Sequence, residues 1–474
     1  MATAIVWFRN NLRLHDNEAL HRASKYDTVI PIYVFDPHWF GETTFGFPKT
    51  GSHRARFLLE TLQNLRNNLR NLGSDLIVRQ GKTHNILAEL ASAYEASIIF
   101  TEKEVTSEEL AIEEAVEKHV NAEVEYTNGR MLFHPDDIPC KPGSIPKVFT
   151  NFRKQLEKNS SVRQQFPTPE VLPEIAVDEP GDLPSIEEFG LSIPPSEDRA
   201  VLPFNGGEDE ALKRLKQYFW EKDQLKNYKF TRNGLLGSDY SSKFSPWLAN
   251  GSLSPRRIYW EVKKYEEERK KNVSTYWMIF ELIWRDFFRY SAMKYGNAIF
   301  KQGGIQQKDR NWRHDEDDFR RWAEGQTGIP FIDANMRELN KTGYMSNRGR
   351  QNVASFLAQN LNIDWRMGAE YFESKLIDYD VCSNYGNWMY NSTVGQDPRN
   401  RYFNIPNQAD KYDKKGEYVR HWLPELSDVP VEFVHEPHRM ALEQQKLAGV
   451  EIGKDYPEPM IDLESSYEEI RNRD

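Results

Sequence analysis

The 474-residue chain carries 72 acidic and 62 basic side chains, a net charge of −10, so bulk charge does not recruit a polyanion and any nucleic-acid contact has to be a local basic groove. Its only cysteines, Cys140 and Cys382, lie far apart, which excludes a disulfide framework and a Cys-rich zinc site and points to a reducing compartment. No run of 18 apolar residues occurs, and Met1-Ala2-Thr3 opens directly into a strand-like run; neither a membrane span nor a signal peptide is expected, and a soluble protein of the cytoplasm, nucleus or an organelle is. The length suits roughly two to four domains. The 12 Trp, 22 Tyr and 26 Phe suit core packing and would equally line an aromatic ligand pocket.

Residues 1–160 alternate strand and helix signals. Ala4 to Phe8, Val29 to Phe35, Leu76-Ile77-Val78, Ile98-Ile99-Phe100 and Val124 to Tyr126 read as strands. A short helical segment is expected to begin at Asp16. Leu58, Leu62, Leu65, Leu69 and Leu72 recur at helical spacing, with Gly73 just beyond the end, and Thr106 with Glu109 has the capping-box spacing ahead of another helix. The expected architecture is a doubly wound, Rossmann-like parallel sheet. There is no G-x-G-x-x-G, and Gly41 and Gly46 have P-loop spacing with Phe47 where Lys should stand, so a ligand here is expected in the crevice at the carboxyl ends of the strands rather than in a phosphate cradle.

Residues 161–204 contain eight prolines, from Pro167 to Pro203, and read as an extended linker. Residues 205–474 read as a helical domain, beginning with the stripe Leu212, Leu215 and Phe219. Lys263 to Lys271 is expected to pair Glu266 with Lys270 and Glu267 with Lys271 on a solvated helix face. In His435-Glu436-Pro437-His438 the proline breaks the helix that a metal-binding His pair needs, so no metal is expected.

Three stretches of this half carry chemistry. Ser238 to Trp247 packs four serine hydroxyls and Lys243 into a loop before a helix, a setting that suits a phosphate and equally an ordinary cap. From Trp277 to Phe288, helical spacing brings Trp277, Glu281, Trp284 and Phe288 together, leaving Glu281 the sole carboxylate on an aromatic face. Desolvation there raises its pKa, while Arg285, four residues on, is expected to pull the other way as an ion-pair partner. Asp378 to Trp388 holds two carboxylates, two Asn amides and a Trp, and Asn384-Tyr385-Gly386-Asn387 is turn chemistry; a helix end converging on a bound group is expected.

With these stretches side by side, the sequence resembles the photolyase/cryptochrome family over nearly its whole length, from Val6-Trp7-Phe8-Arg9 to His421-Trp422-Leu423-Pro424. Tyr228 to Gly234 and Tyr240 to Trp247 are similar to the cryptochrome DASH branch. The resemblance implies an N-terminal antenna domain and an all-helical C-terminal domain that buries FAD. By position in the matching motifs it assigns Tyr228, Ser241, Ser242, Lys243, Phe244 and Ser245 to the diphosphate, Arg285, Asp378 and Asp380 to the flavin and sugar region, and Asn384 to flavin N5. Glu281, Asn347 and Met345 would stand between flavin and substrate, with Trp284 beside flipped bases. Arg232, Arg348 and Gln408 match substrate-side positions, and Trp388, Trp365 and Trp312 match the electron-transfer tryptophans. Glu108, near the helix start at Thr106, would contact an antenna 5,10-methenyltetrahydrofolate. Photolyases active on duplex DNA typically show Trp-x-Trp; here Met389 and Tyr390 follow Trp388, and Tyr offers a smaller stacking face.

What this implies is light-driven repair of pyrimidine dimers in single-stranded DNA by a monomer, with RNA as the other nucleic acid to test. A photosensory nucleic-acid-binding flavoprotein without turnover is the alternative, and a helical scaffold without cofactor the third. The intact Glu281, Asn347 and Arg348 set favours the enzyme, as does the expected lack of a long signalling tail after Glu425.

Overall fold

The computed structural model describes residues 2–173, 175, 177–397, 399 and 402–473. Five parallel strands, β1 Thr3–Phe8, β2 Thr28–Phe35, β3 Ile77–Gln80, β4 Ala96–Glu102 and β5 Glu123–Thr127, lie in the order β3-β2-β1-β4-β5. β1 is central, with Val6 opposite Pro31 of β2 and Phe100 of β4. Its side chains alternate between two cores. Ala4, Val6 and Phe8 pack with Leu62, Leu65 and Leu69 of helix α1 (Ser52–Asn71), while Ile5 and Trp7 pack with Leu87, Leu90 and Val116 on the other face. The period-2 alternation of a strand buried on both sides explains the continuous apolar run in the sequence.

Two local expectations change. Asp16 does not start the first helix: Asn17 caps Glu18–Ala23 by accepting from the Leu20 N–H, and Asp16 sits at φ 48°. Thr106 does precede helix α2 (Ser107–His119), but no capping box forms, because its hydroxyl donates to the Glu109 carboxylate instead of accepting a backbone N–H.

Between 161 and 204 the one regular element among the described residues is a 3-10 turn, Glu187–Phe189. The segment is nonetheless held to the sheet: the Val78 N–H donates to Pro180 O (2.8 Å) and the Leu172 N–H to Leu72 O (2.8 Å). Pro180 thereby occupies part of the open edge of β3.

The remaining chain is helical. Its longest helix, α3 (Val273–Tyr295), starts at a capping box between Asn272 and Thr275 and touches two cores, one through Met278, Leu282 and Phe287 and the other through Phe288. The preceding helix, Pro255–Glu268, ends before Lys270 and Lys271, so the expected pairs do not form; Lys263–Glu266 (3.0 Å) and Lys264–Glu268 (3.9 Å) form instead. The chain after Glu425 is folded onto the body, with Tyr456 and Tyr467 buried and the Tyr467 hydroxyl accepting from the Ile405 N–H.

The two halves are joined by buried charge. Arg256 grips both oxygens of Asp16 at 2.8 and 2.9 Å, and Glu208 accepts from the Leu14 and His15 N–H groups. Here Gly251, at φ +73°, passes so near the Asn10 carbonyl that a Cβ would lie 1.8 Å from it. Asp16→Ala would leave Arg256 buried without its carboxylate. The expected cost is about 3–5 kcal/mol, read as a lowered urea midpoint; an unchanged midpoint contradicts the role of this pair.

Candidate functional site

A cleft opens in the helical half, with about 1320 Å³ of space counting its solvent-open mouth. Tyr228, the loop Ser241 to Ser245, Arg285, Asp378, Asp380 and Asn384 all line it, as do Arg232, Glu281, Met345, Asn347 and Trp388. Residues more than 150 positions apart in sequence thus converge on one space.

The loop end is built around a cation. Lys243 sits at φ 57°, is 3% exposed, and its Nζ has no hydrogen-bond partner while resting 3.0 Å from the centre of the Tyr240 ring. Burial pushes this ammonium well below its ordinary pKa, with Glu338 pulling the other way. The loop is anchored from behind by Arg214, which donates to the carbonyls of Ser242 (3.0 Å), Ser241 (3.2 Å) and Ser238 (2.8 Å) and pairs with Asp239.

The opposite wall is the start of helix α6 (Val381–Asn391), preceded by helices α4 (Asn347–Ser355) and α5 (Trp365–Lys375). Asp380 is its N-cap and accepts from the Ser383 N–H at 2.8 Å. Burial alone would raise the Asp380 carboxyl, but Arg130 and then Arg285 outweigh it and hold it below the ordinary carboxylate range. Asn384-Tyr385-Gly386-Asn387 is therefore the first turns of a helix and not a reverse turn. Gly386 is needed for packing there, since a Cβ would meet the Phe288 ring at 2.2 Å. The Asn384 amide donates to Ala369 O (3.0 Å), which fixes its direction, and Asp378 is held by Arg350 at 2.8 and 3.0 Å.

Glu281 does not pair with Arg285. Arg285 turns to the carbonyls of Arg130 and Leu248, and Glu281 instead meets Arg232 at 2.6 Å. A contact four residues along a helix is an opportunity only; here two open carbonyls on the far side take the guanidinium.

Trp284, Arg348, Tyr390 and Gln408 lie outside the lining. Trp284 has one face covered by Phe149, stacked at 3.6 Å, and meets Tyr390 edge-on at 6.1 Å. Arg348 lies over the Tyr412 ring of the helix that carries Gln408. Trp388, Trp365 and Trp312 share one core, and Gly368 seats the Trp388 ring so closely that a Cβ would lie 2.2 Å from it. Trp312 is only 5% exposed and is covered by the Arg310 guanidinium at 4.0 Å, so it does not present an open ring to solvent. Sequence reasoning missed Arg350, Tyr344 and Gln351 in the lining, and also Trp322, edge-on to Trp388 at 6.2 Å.

Glu108 lines a separate cavity of about 940 Å³ with Glu109, Glu373 and Tyr379. Hydrogen bonds from His38 (3.1 Å) and Lys49 (2.5 Å) hold its carboxyl down to about 2. A third cavity of about 1140 Å³ lies at the carboxyl ends of β1 and β2, where the crevice was expected. Among the described residues no group of three or more His, Cys, Asp or Glu side chains is placed to hold a metal, and His435 bonds the Asp413 carbonyl.

Residues 4–171 match the DNA photolyase family and residues 277–473 the FAD-binding domain of DNA photolyase. The Cryptochrome DASH of Gloeobacter violaceus is 52% identical over 466 residues, covering 97% of this chain and 93% of that one. The chain belongs to the photolyase/cryptochrome family, in its cryptochrome DASH branch. The crystal structure of the Synechocystis cryptochrome superposes with a TM-score of 0.98 at 49% identity, covering 100% and 99% of the two chains. An archaeal photolyase from Sulfolobus tokodaii, crystallised with two FAD molecules, superposes at 0.80 with 27% identity and 99% coverage of each.

The residues present fit FAD. A buried ammonium without a partner, a loop of hydroxyls and a fixed amide are the donor set that a dinucleotide's diphosphate and ring require. The Tyr228 and Ser241–Ser245 wall lies before the matched FAD-binding stretch, so this chain completes its cleft from outside it. Gly368→Ala should push the Trp388 ring off its seat at a cost of about 1–3 kcal/mol, seen as a lowered Tm; a Tm equal to the parent's would mean the seat is not tight.

Proposed function

We propose that this protein repairs cyclobutane pyrimidine dimers in single-stranded DNA under blue light. The observation that carries the proposal is the convergence, on one cleft, of a cofactor wall (Lys243, Asp378, Asp380, Asn384) and a substrate set (Glu281, Met345, Asn347, Arg232). When bound, reduced and light-excited FAD supplies the electron that opens the dimer and receives it back. The chain's own residues do the rest. Lys243 and the Ser241–Ser245 loop hold the diphosphate, Arg350 fixes Asp378 against the sugar region, and Asn384 offers the flavin a neutral amide that carries no charge to repel added electrons. Glu281 faces the pyrimidine carbonyls, where negative charge develops only once the dimer has received the electron. Met345 and Asn347 close the space around the lesion, and Gln408 and Arg348 meet the strand.

Trp388, Trp365 and Trp312 serve as the route by which electrons reach the cofactor, with Trp388 alone of the three in the cleft wall. A further chromophore, 5,10-methenyltetrahydrofolate, is proposed for the cavity beside Glu108 as an antenna; the two FAD molecules of the Sulfolobus photolyase support the capacity of this fold for a second one. Trp388→Phe should keep stoichiometric flavin and lose light-driven flavin reduction, measured by absorbance. Reduction at the parental rate would assign the electrons to another path.

Substrate choice follows from stacking. Extruding a dimer from a duplex costs a few kcal/mol, which a single strand largely avoids. Stacking is worth roughly 1–3 kcal/mol per base, and here it rests on Tyr390 and on a Trp284 whose other face Phe149 already occupies. Repair should therefore be much faster on single-stranded than on duplex substrate at matched light and salt. Equal rates would refute the stacking argument, and repair of neither would assign the protein to photosensing.

A further inference from the structure

The mouth of the cleft is one anion short. Arg232 and Glu281 pair across it at 2.6 Å, the guanidinium 19% and the carboxylate 29% exposed. Arg348 stands beside them with Nη2 on the neutral Asn233 side chain (3.2 Å), its plane over Tyr412 (4.8 Å) and Phe403 (5.8 Å), and its Nε buried without a partner. Among the described residues no carboxylate pairs with Arg348. Arg232 is near enough to disfavour the Arg348 charge. Two guanidiniums thus stand at the mouth beside a single carboxylate, and Arg232 holds it.

Glu281 has few neighbours to decide its charge. Arg232, just beyond the helix Tyr228–Thr231, is the cation that faces it; from its own helix the Trp277 indole donates to it; the Tyr228 hydroxyl is the titratable group on the packed helix; and Arg285, one turn on, has turned away. Burial pushes the Glu281 carboxyl up, and Arg232 is the main force opposing that.

We propose that Arg232 is a positioning residue shared between two anions: it holds Glu281 in the substrate-free protein and passes to a backbone phosphate of the bound single strand, joining Arg348, whereupon Glu281 takes one proton from solvent. The inference rests on the repair reading and deepens it. An ionised carboxylate only accepts hydrogen bonds, whereas a carboxylic acid donates one, and pyrimidine carbonyls need a donor. The phosphate satisfies both guanidiniums by charge-assisted hydrogen bonds, and with Arg232 gone only the Trp277 indole still opposes the effect of burial on Glu281. The handover therefore makes the donor only when there is something to donate to.

Linkage fixes the sign. A complex that binds one more proton than its free components tightens as pH falls between the free-state and bound-state pKa values of Glu281, and is independent of pH outside that window. The test is titration calorimetry of the FAD-loaded protein with a dimer-containing oligothymidylate, in buffers of different ionisation enthalpy near neutral pH. Uptake should approach about one proton per strand, with a protonated-carboxyl band appearing in the infrared difference spectrum. Glu281→Gln should bind with no uptake. Arg232→Gln should show the carboxyl band already in the free protein and lose the uptake, and Arg232→Lys should restore it. Binding and repair without proton uptake by the parent overturn the handover and leave the repair reading standing. A strand neither bound nor repaired overturns both.

Discussion

Arg130 ties the sheet to the cleft. It follows β5, is almost wholly buried, and reaches Glu104 (2.5 Å) on one side and Asp380 (3.0 Å) on the other, while Arg289 of α3 closes on Glu104 at 3.0 Å. Two guanidiniums and two carboxylates cancel in sum, which lets four charges leave water together; losing any one would strand its partner at a cost of about 3–5 kcal/mol. The pairing is firm enough that Glu104 stays far below the ordinary carboxylate range despite its burial, with Arg130 the largest opposing force. What this fixes is the direction of helix α6. Asp380 is its N-cap, and Asn384 and Trp388 follow at intervals of four, so they share the face that Asp380 starts. The position of the N-terminal sheet thereby sets which side chains the helical half turns into the cleft.

The same economy governs the space between the cavities. Tyr379 lines all three. Its hydroxyl donates to Glu373 (2.9 Å) and its ring carries the Arg54 guanidinium at 4.8 Å. A polar tip on a buried aromatic normally needs a partner, and this one has it without giving up its apolar faces. Tyr379 therefore stands between the cleft and the two other spaces, with Asp380 also shared between the cleft and the space at the ends of β1 and β2.

How much of this was legible in the sequence depends on the range of the interaction. β1 was plain because both its faces are buried, and the cleft-lining residues could be named because motif position carried them. Local guesses failed where a distant group won the competition. Asp16 was expected to begin a helix, yet Arg256, 240 residues away, claims its carboxylate, and Asn17 caps the helix that follows. Arg285 lost Glu281 to Arg232 because the carbonyls of Arg130 and Leu248 satisfy its guanidinium better. Arg350 follows the assigned Asn347 and Arg348 closely, but nothing in the sequence ties it to Asp378, 28 residues on. Trp322 carried no signal, since one more buried aromatic is the ordinary expectation.

Charge is handled differently inside and at the rim. Within the cleft wall every carboxylate of the Asp378 to Asp380 stretch has its own guanidinium: Arg350 for Asp378, Arg130 for Asp380. Such pairs are rigid, and they suit a cofactor held permanently. At the mouth, Arg232 pairs with Glu281 while Arg348 has no carboxylate among the described residues, so the excess is positive in a chain whose total is −10. Beyond a Debye length of about 8–10 Å that local excess is largely screened, so it does not draw a polyanion from afar. It acts at contact, where both cations are already half-desolvated and a phosphate removes a repulsion as well as adding two attractions. On the proposed reading a strand would be selected by how well it seats there, and salt should weaken it in proportion to the few phosphates that it brings to these two arginines.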